Sequence, residues 1–482
     1  MIRVSIQVPH PYRSRAEYVF RTFALRWGIP VLFTSDEPDL RYGGSDSAAA
    51  AGAALRLPFD ESAYRPQTVC AFRRKDGSAN WVVAGDDRDW PDLVGTTYRL
   101  LTHLDESQVR AENRDRRGIF VNKALPPDRA QSAAVPFVEN HAAALLEQAL
   151  RVRPRLKEAA IPRWPGGKRY ALVLTHDVDA VNVSAPLEMA ANLTKALLRG
   201  SASHARLFTL GLFGLGRNAA DPHFQFQRWK EWERQSNLKS AFYLFYRPRG
   251  VRFDINDCKS SVAGRRTDWE TLRRIADEGW EFGLHSSIRS RERPAAIPEA
   301  KAWLEGKLEG PVHGVRHHYW AIDWRAPHRT YRLHAESGFL YDSSVAWRDQ
   351  AGFRAGTCLP YALYDPETEK TLPLTELPCN LMDGHILFRD VSGARRDHEE
   401  AVRLGRDLME VVKTFGGAAV LNWHQEKGFN RLEYAGFFEA LDAVLEPYLT
   451  NRDAWIALPR ELVEHWNARA DLILGASQSA CS

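Results

Sequence analysis

The chain has little of what staples or anchors a protein. Its five cysteines (Cys70, Cys258, Cys358, Cys379 and Cys481) are odd in number and far apart, with no C-x-x-C pair. That excludes a disulfide framework and a paired-cysteine zinc knuckle, and reduced thiols in a cytoplasm are the expectation. No run of about 18 apolar residues occurs, so no transmembrane segment is expected. The nearest approach, Leu207 to Gly216, is short and glycine-broken; it is expected to be buried or partner-facing, with a membrane-grazing loop as the alternative. The first residues, MIRVSIQVPHPYRSR, lack the apolar core of a signal peptide. An excess of one charge is missing too: 65 basic residues stand against 61 acidic ones, for a net +4. The basic clusters Arg73-Arg74-Lys75, Arg289 to Arg293 and Arg395-Arg396 have no interleaved aromatics, so nucleic acid is not an expected partner.

What is there is ample core material. With 482 residues and 44% hydrophobic content, the chain exceeds the roughly 250–300 residues at which single cores stop growing, so two domains are expected. Residues 1–165 read as a smaller α/β unit, with a strand from Ile2 to Val8, a helical period from Arg15 to Gly28, and amphipathic patterns over Trp90–Thr102 and Val135–Val152. The small-residue stretch Ser45 to Leu55 is ambiguous between helix and loop. A Pro/Gly-punctuated linker, IPRWPGGKR, follows. Residues 166–470 alternate apolar strands (YALVLTHDVD, LKSAFYLFY, WEFGLH, VHGVRHH, FLYDSS, AAVLNWH, WIAL) with amphipathic helices, the rhythm of a parallel barrel. Residues 471–482 are expected to form a disordered tail.

Polar residues recur where the apolar strands end: Asp177 and Asp179, His285-Ser286-Ser287, Arg316 to Tyr319, Asp342-Ser343-Ser344, and Asn422 to His424. Each alone reads as a cap or a satisfied histidine. Together they ask for partners or a metal, because a desolvated charge needs one, and the carboxyl end of a barrel is where chemistry is assembled. Asp177 and Asp179 share a side through strand alternation, with Val178 packing away.

The ordered set THDVD, LHSS, GVRHHY, GFLYDSS and LNWH, over about residues 168–465, resembles the polysaccharide deacetylase (NodB-homology) family, in the branch whose first motif reads T-H-D-V-D. The resemblance implies a (β/α)7–8 barrel preceded by an accessory domain. It also implies metal-assisted removal of an N- or O-acetyl group from a saccharide, in association with polysaccharide-assembly proteins. A divalent metal, zinc by type, is the implied cofactor. Asp177 would be the general base, Asp179 and His285 metal ligands, His424 the general acid, Arg316 the partner of Asp177, and Asp342 the residue that orients His424. The backbone at Tyr319 would serve the oxyanion.

The family's second motif usually carries two histidines four residues apart, and here Arg289 stands at the later position. Arginine does not ligate metals under ordinary conditions. Three readings stay open: completion of the site by His318 or, next, His176; a weak site with fewer ligands plus water; or no metal. Trp320 and Trp423 read equally as sugar platforms or as core. Met382 to His385 reads as a turn with a surface histidine, and Cys358 as an inert thiol. The alternative functions are a barrel without turnover that binds glycan or a partner, and a hydrolase of non-sugar amides.

Overall fold

A computed structural model describes residues 1–44, 55–65, 91–115, 117–121, 124–125, 132–213, 221–254, 257–258, 262–264, 267–389 and 394–479. Ser45 to Ala54, the basic cluster Arg73-Arg74-Lys75, Cys70 and Cys481 lie outside the described residues.

The N-terminal unit is a parallel four-stranded sheet in the order β2-β1-β3-β4. Its strands are β1 Ile2–Gln7, β2 Val31–Phe33, β3 Leu40–Gly43 and β4 Leu55–Leu57. Helix Tyr12–Trp27 ends where Gly28 turns left-handed (φ +71°) and returns its N–H to the Ala24 carbonyl. The helix is buried along most of its length because it lies between this sheet and the larger unit. The Tyr18 hydroxyl donates to the Ala362 carbonyl at 2.8 Å, and Arg26 pairs with Glu139 at 3.4 Å.

The larger unit is a curled sheet in the order β10-β11-β9-β8-β7-β6-β5-β13-β12, with β14 also on β5. The strands are β5 Tyr170–Val178, β6 Ser240–Tyr246, β7 Glu281–Ser286, β8 Gly314–His317, β9 Tyr341–Asp342, β10 Tyr361–Asp365, β11 Lys370–Glu376, β12 Leu381–Met382, β13 Ala418–Asn422 and β14 Ala454–Ile456. From β9 through β12 every pairing is parallel, and β10–β11 adds an antiparallel hairpin at one edge. Among the described residues no pairing joins β10 to β12, so the sheet is a half-barrel rather than a closed ring. Two glycines let tyrosines lie across its interior. A Cβ on Gly283 would stand 2.5 Å from the Tyr243 ring, and one on Gly314 would stand 2.1 Å from the Tyr341 ring.

Helix Trp269–Asp277 starts at Asp268, whose carboxylate accepts from the Thr271 N–H at 3.0 Å. The long helical region before Gln235 is three helices, Pro186–Arg199, Ala202–Leu212 and Phe226–Gln235, and the first ends where Gly200 turns left-handed. The last helix runs Pro459–Ser479, through most of the residues expected to form a tail. It packs on both the N-terminal helix and β5, and Arg469 donates to the Leu25 carbonyl at 2.6 Å.

Candidate active site

Strand β5 is buried at every residue, and its alternation sends Thr175 and Asp177 inward and His176 outward. Asp177 Oδ1 accepts from Arg316 Nη1 at 2.9 Å, and Oδ2 accepts from Asn422 Nδ2 at 2.7 Å. The Asn422 amide oxygen in turn accepts from the Asp177 N–H at 3.0 Å, so β13 clamps the residue from both sides. Arg316, wholly buried on β8, also donates to Thr175 Oγ1 and Ser343 Oγ, both at 2.8 Å, and lies 4.2 Å over the Tyr243 ring. Burial alone would push the Asp177 carboxyl up, but Arg316, then His285 and His424, outweigh it and hold it below the usual carboxylate range. Asp177 is therefore ionised at neutral pH.

Asp179, just past β5, sits in a ring of nitrogens. Its Oδ1 is 3.3 Å from His285 Nε2, and its Oδ2 is 3.7 Å from His318 Nε2 and 3.5 Å from His424 Nε2. Burial favours a neutral Asp179, yet His318, His285 and His424 hold its pKa well below the usual value. The residues fit a divalent cation on the state of two rings. His285 Nδ1 bonds the Arg316 carbonyl at 3.1 Å, and His318 Nδ1 bonds Asp257 at 3.1 Å. A carbonyl or carboxylate partner makes Nδ1 a donor and turns Nε2 toward the cluster, the orientation that metal-ligating histidines take. Accordingly, buried His285 Nε2 makes no hydrogen bond.

Sequence reasoning placed Asp179, His285 and His318 here and missed Cys258. The atoms of all four that could ligate lie within 4.8 Å of one another. His176 is elsewhere: its Nδ1 bonds the Trp423 carbonyl at 2.6 Å and its Nε2 bonds Glu233 at 2.9 Å. Arg289 turns away from the cluster to pair with Asp254 at 2.9 Å and Glu292 at 2.5 Å.

His424, after β13, faces Asp179 through Nε2, while its Nδ1 lies 2.8 Å from Asp383 Oδ2, which also accepts the His424 backbone N–H. Asp383 thus takes the place expected of Asp342. Asp342 is buried in a different cluster, 2.6 Å from His334 Nδ1, and bonds the Ser344 N–H at 2.7 Å. The turn expected to carry a surface histidine is buried instead at both Asp383 and His385. The only cue to Asp383 was its place after the short β12. Tyr319 and Trp320 both adopt left-handed backbone, at φ +57° and +55°, a strain that persists only where the surroundings impose it. Arg117, from the N-terminal unit, lies 4.8 Å over the Tyr319 ring.

Asp177, Asp179, His318, Tyr319, Trp320, His424 and Lys427 line one cavity of about 360 Å³. Trp423 is outside it, wholly buried, with its indole N–H on the Phe437 carbonyl at 3.1 Å. Cys358 is buried against Gly417, in the core.

No family model and no curated protein matches the chain. Among solved structures it is similar to one described as a polysaccharide deacetylase from Mycobacterium smegmatis, at 22% identity over 64% of this chain and 93% of that one, with a TM-score of 0.43. One described likewise from Pseudomonas aeruginosa PAO1 is 18% identical over 64% and 94%, with a TM-score of 0.41. The PuuE allantoinase is 16% identical over 64% and 95%, also at 0.41.

Proposed function

We propose that this chain is a hydrolase that removes an acetyl group from a nitrogen or oxygen of a saccharide. The observation that carries the reading is a matched pair across one cavity. Asp177 is kept ionised by Arg316 and Asn422, and His424 is kept protonated by Asp383, with the Asp179 cluster between them. Such a pair suits proton abstraction and proton delivery in one turnover.

Asp177 takes the proton of the attacking water. Asn422 and Arg316 leave its carboxylate one orientation, so no reorganisation is needed when it does so. His424 gives the proton from Nε2 to the leaving amine or alcohol, and Asp383 stabilises the imidazolium beforehand. The Tyr319 backbone N–H, in its strained turn, is the donor we assign to the developing oxyanion. Trp320 offers an aromatic wall to the sugar ring. A divalent cation held by Asp179, His285 and His318 would polarise the carbonyl and lower the pKa of water.

The test is acetate release from N-acetylated and O-acetylated oligosaccharides and from N-acetylated nucleotide sugars, with zinc and with chelator. Release from at least one class, lost on chelation and restored by zinc, is the expected result. Hydrolysis confined to non-sugar amides would overturn the substrate class, and no hydrolysis of any of them would overturn the reaction.

A further inference from the structure

We infer that Cys258 is a fourth protein ligand to the metal, an inference that rests on the metal reading above. Ligand atoms about 2.0–2.3 Å from a tetrahedral zinc stand roughly 3.3–3.8 Å from one another. Three separations here fall in that range: His285 Nε2 to Asp179 at 3.3 Å, His318 Nε2 to Asp179 at 3.7 Å, and Cys258 Sγ to Asp179 Oδ1 at 3.3 Å. The thiol is buried, and His285 Nε2, which makes no hydrogen bond, is buried beside the same Asp179 oxygen. Asp257, adjacent in sequence, holds His318 by Nδ1 and also accepts from Ser287 Oγ, so one short segment supplies both a ligand and the support of another. Where Arg289 has left the ring, Cys258 fills it with sulfur. A two-nitrogen, one-oxygen, one-sulfur set favours zinc over magnesium or manganese.

Zinc X-ray absorption on the zinc-loaded full chain reads this without any assay of turnover. One sulfur at about 2.3 Å is expected, absent in Cys258→Ser, with zinc affinity falling about tenfold or more. Zinc bound by the wild type through nitrogen and oxygen alone overturns the inference and leaves the metal reading standing. Failure of the wild type to bind zinc overturns both.

A different observation carries a second inference. Helices Pro186–Arg199 and Ala202–Leu212 pack chiefly on each other and project as a hairpin between β5 and β6. The hairpin exposes Leu197 (74%), Leu198 (81%), Leu212 (57%) and Phe213 (67%), four of the five most exposed large apolar side chains among the described residues. Of the stretch Leu207 to Gly216, Leu207 and Gly211 are buried while Leu212 and Phe213 are exposed. From residue 189 to 213 there is no Asp or Glu, and Lys195, Arg199 and Arg206 are the charges; the whole chain averages one acid in about eight residues. We propose that this hairpin docks on an anionic bilayer surface, the leucines entering the interface and Arg199 and Arg206 meeting headgroups, while Lys195 pairs with Glu433 at 3.4 Å. The side pocket that reaches Asp179 is also lined by Glu188 and Lys195 of the first helix, so docking brings the reactive mouth near the lipid plane.

Co-sedimentation of the full chain with phosphatidylglycerol–phosphatidylcholine vesicles is the test. Binding is expected, weakened by salt and reduced at least tenfold in Leu197→Glu with Leu198→Glu, at an unchanged melting temperature. No vesicle binding by the wild type overturns the proposal. So does a wild-type dimer that the same substitutions split, in the absence of vesicle binding, because the face would then serve self-association.

Discussion

His424 is buried, and burial alone lowers an imidazole, but Asp383 at 2.8 Å reverses this and raises its pKa to about 9. The ring keeps its proton up to that pH and loses it above, so the alkaline limb of a pH–kcat profile is expected near 9. Asp383→Asn removes the largest stabilising charge and should shift that limb toward the ordinary value of about 6.5. Asp342→Asn should leave it in place. An alkaline limb unmoved by Asp383→Asn would contradict the assignment. Arg316 carries a stability prediction. Arg316→Met leaves the Asp177 carboxylate buried without its cation and should cost about 3–5 kcal/mol in urea unfolding; a loss below about 1 kcal/mol would mean that Asp177 is not charged in the fold. At this scale the sequence was informative where a buried strand delivers a polar residue at its end. Asp177, Asp179, His285, Arg316, His318 and His424 do meet. Cys258 and Asp257 were not legible, because they sit in an irregular segment where neither periodicity nor an apolar run marks direction, and Asp383 was not, because it opens the helix Asp383–Leu387, too short to carry a period. Which carboxylate reaches which histidine is decided by how strands curl, so Asp342 and Asp383 could not be told apart from their positions alone.

Among the elements, β7 opens on Glu281, buried between the Tyr341 hydroxyl at 2.7 Å and the Arg460 N–H at 3.0 Å. Burial raises its pKa from 4.5 to about 7, more than those two hydrogen bonds lower it. The folded state holds the proton to about pH 7, while the unfolded chain releases it from about 4.5. Stability is therefore fullest below that lower value and falls as pH rises across the window, by about 3 kcal/mol for this group. Glu281→Gln should flatten that part of the stability–pH curve, and an unchanged slope would refute it. Helices with caps and strong periodicity were readable to within a few residues, as at Asp268. The region before Gln235 was not, since continuous helical periodicity does not show where Gly200 breaks the chain or that the resulting hairpin faces outward.

In the whole molecule, one continuous apolar core joins the two units, running from Phe20 and Trp27 through Trp164 to β5 and Trp466. Two separate periodicities in the sequence suggested two units but could not show how much surface they share, because that depends on which helix faces meet. A chain beginning at Lys168 would expose that face, and is expected to aggregate or to lose its cooperative melt; a soluble fragment melting like the full chain would show the units to be independent. The N-terminal unit also sends Arg117 to the Tyr319 ring, so it borders the site as well as the core. The central claim concerns what happens inside that cavity, and Asp177→Asn tests it most directly. In single-turnover acetate release by zinc-loaded protein, with folding and zinc content verified, the variant should be slower by about 10²–10⁴-fold. A variant that keeps the wild-type rate would contradict Asp177 as the base and, with it, the mechanism.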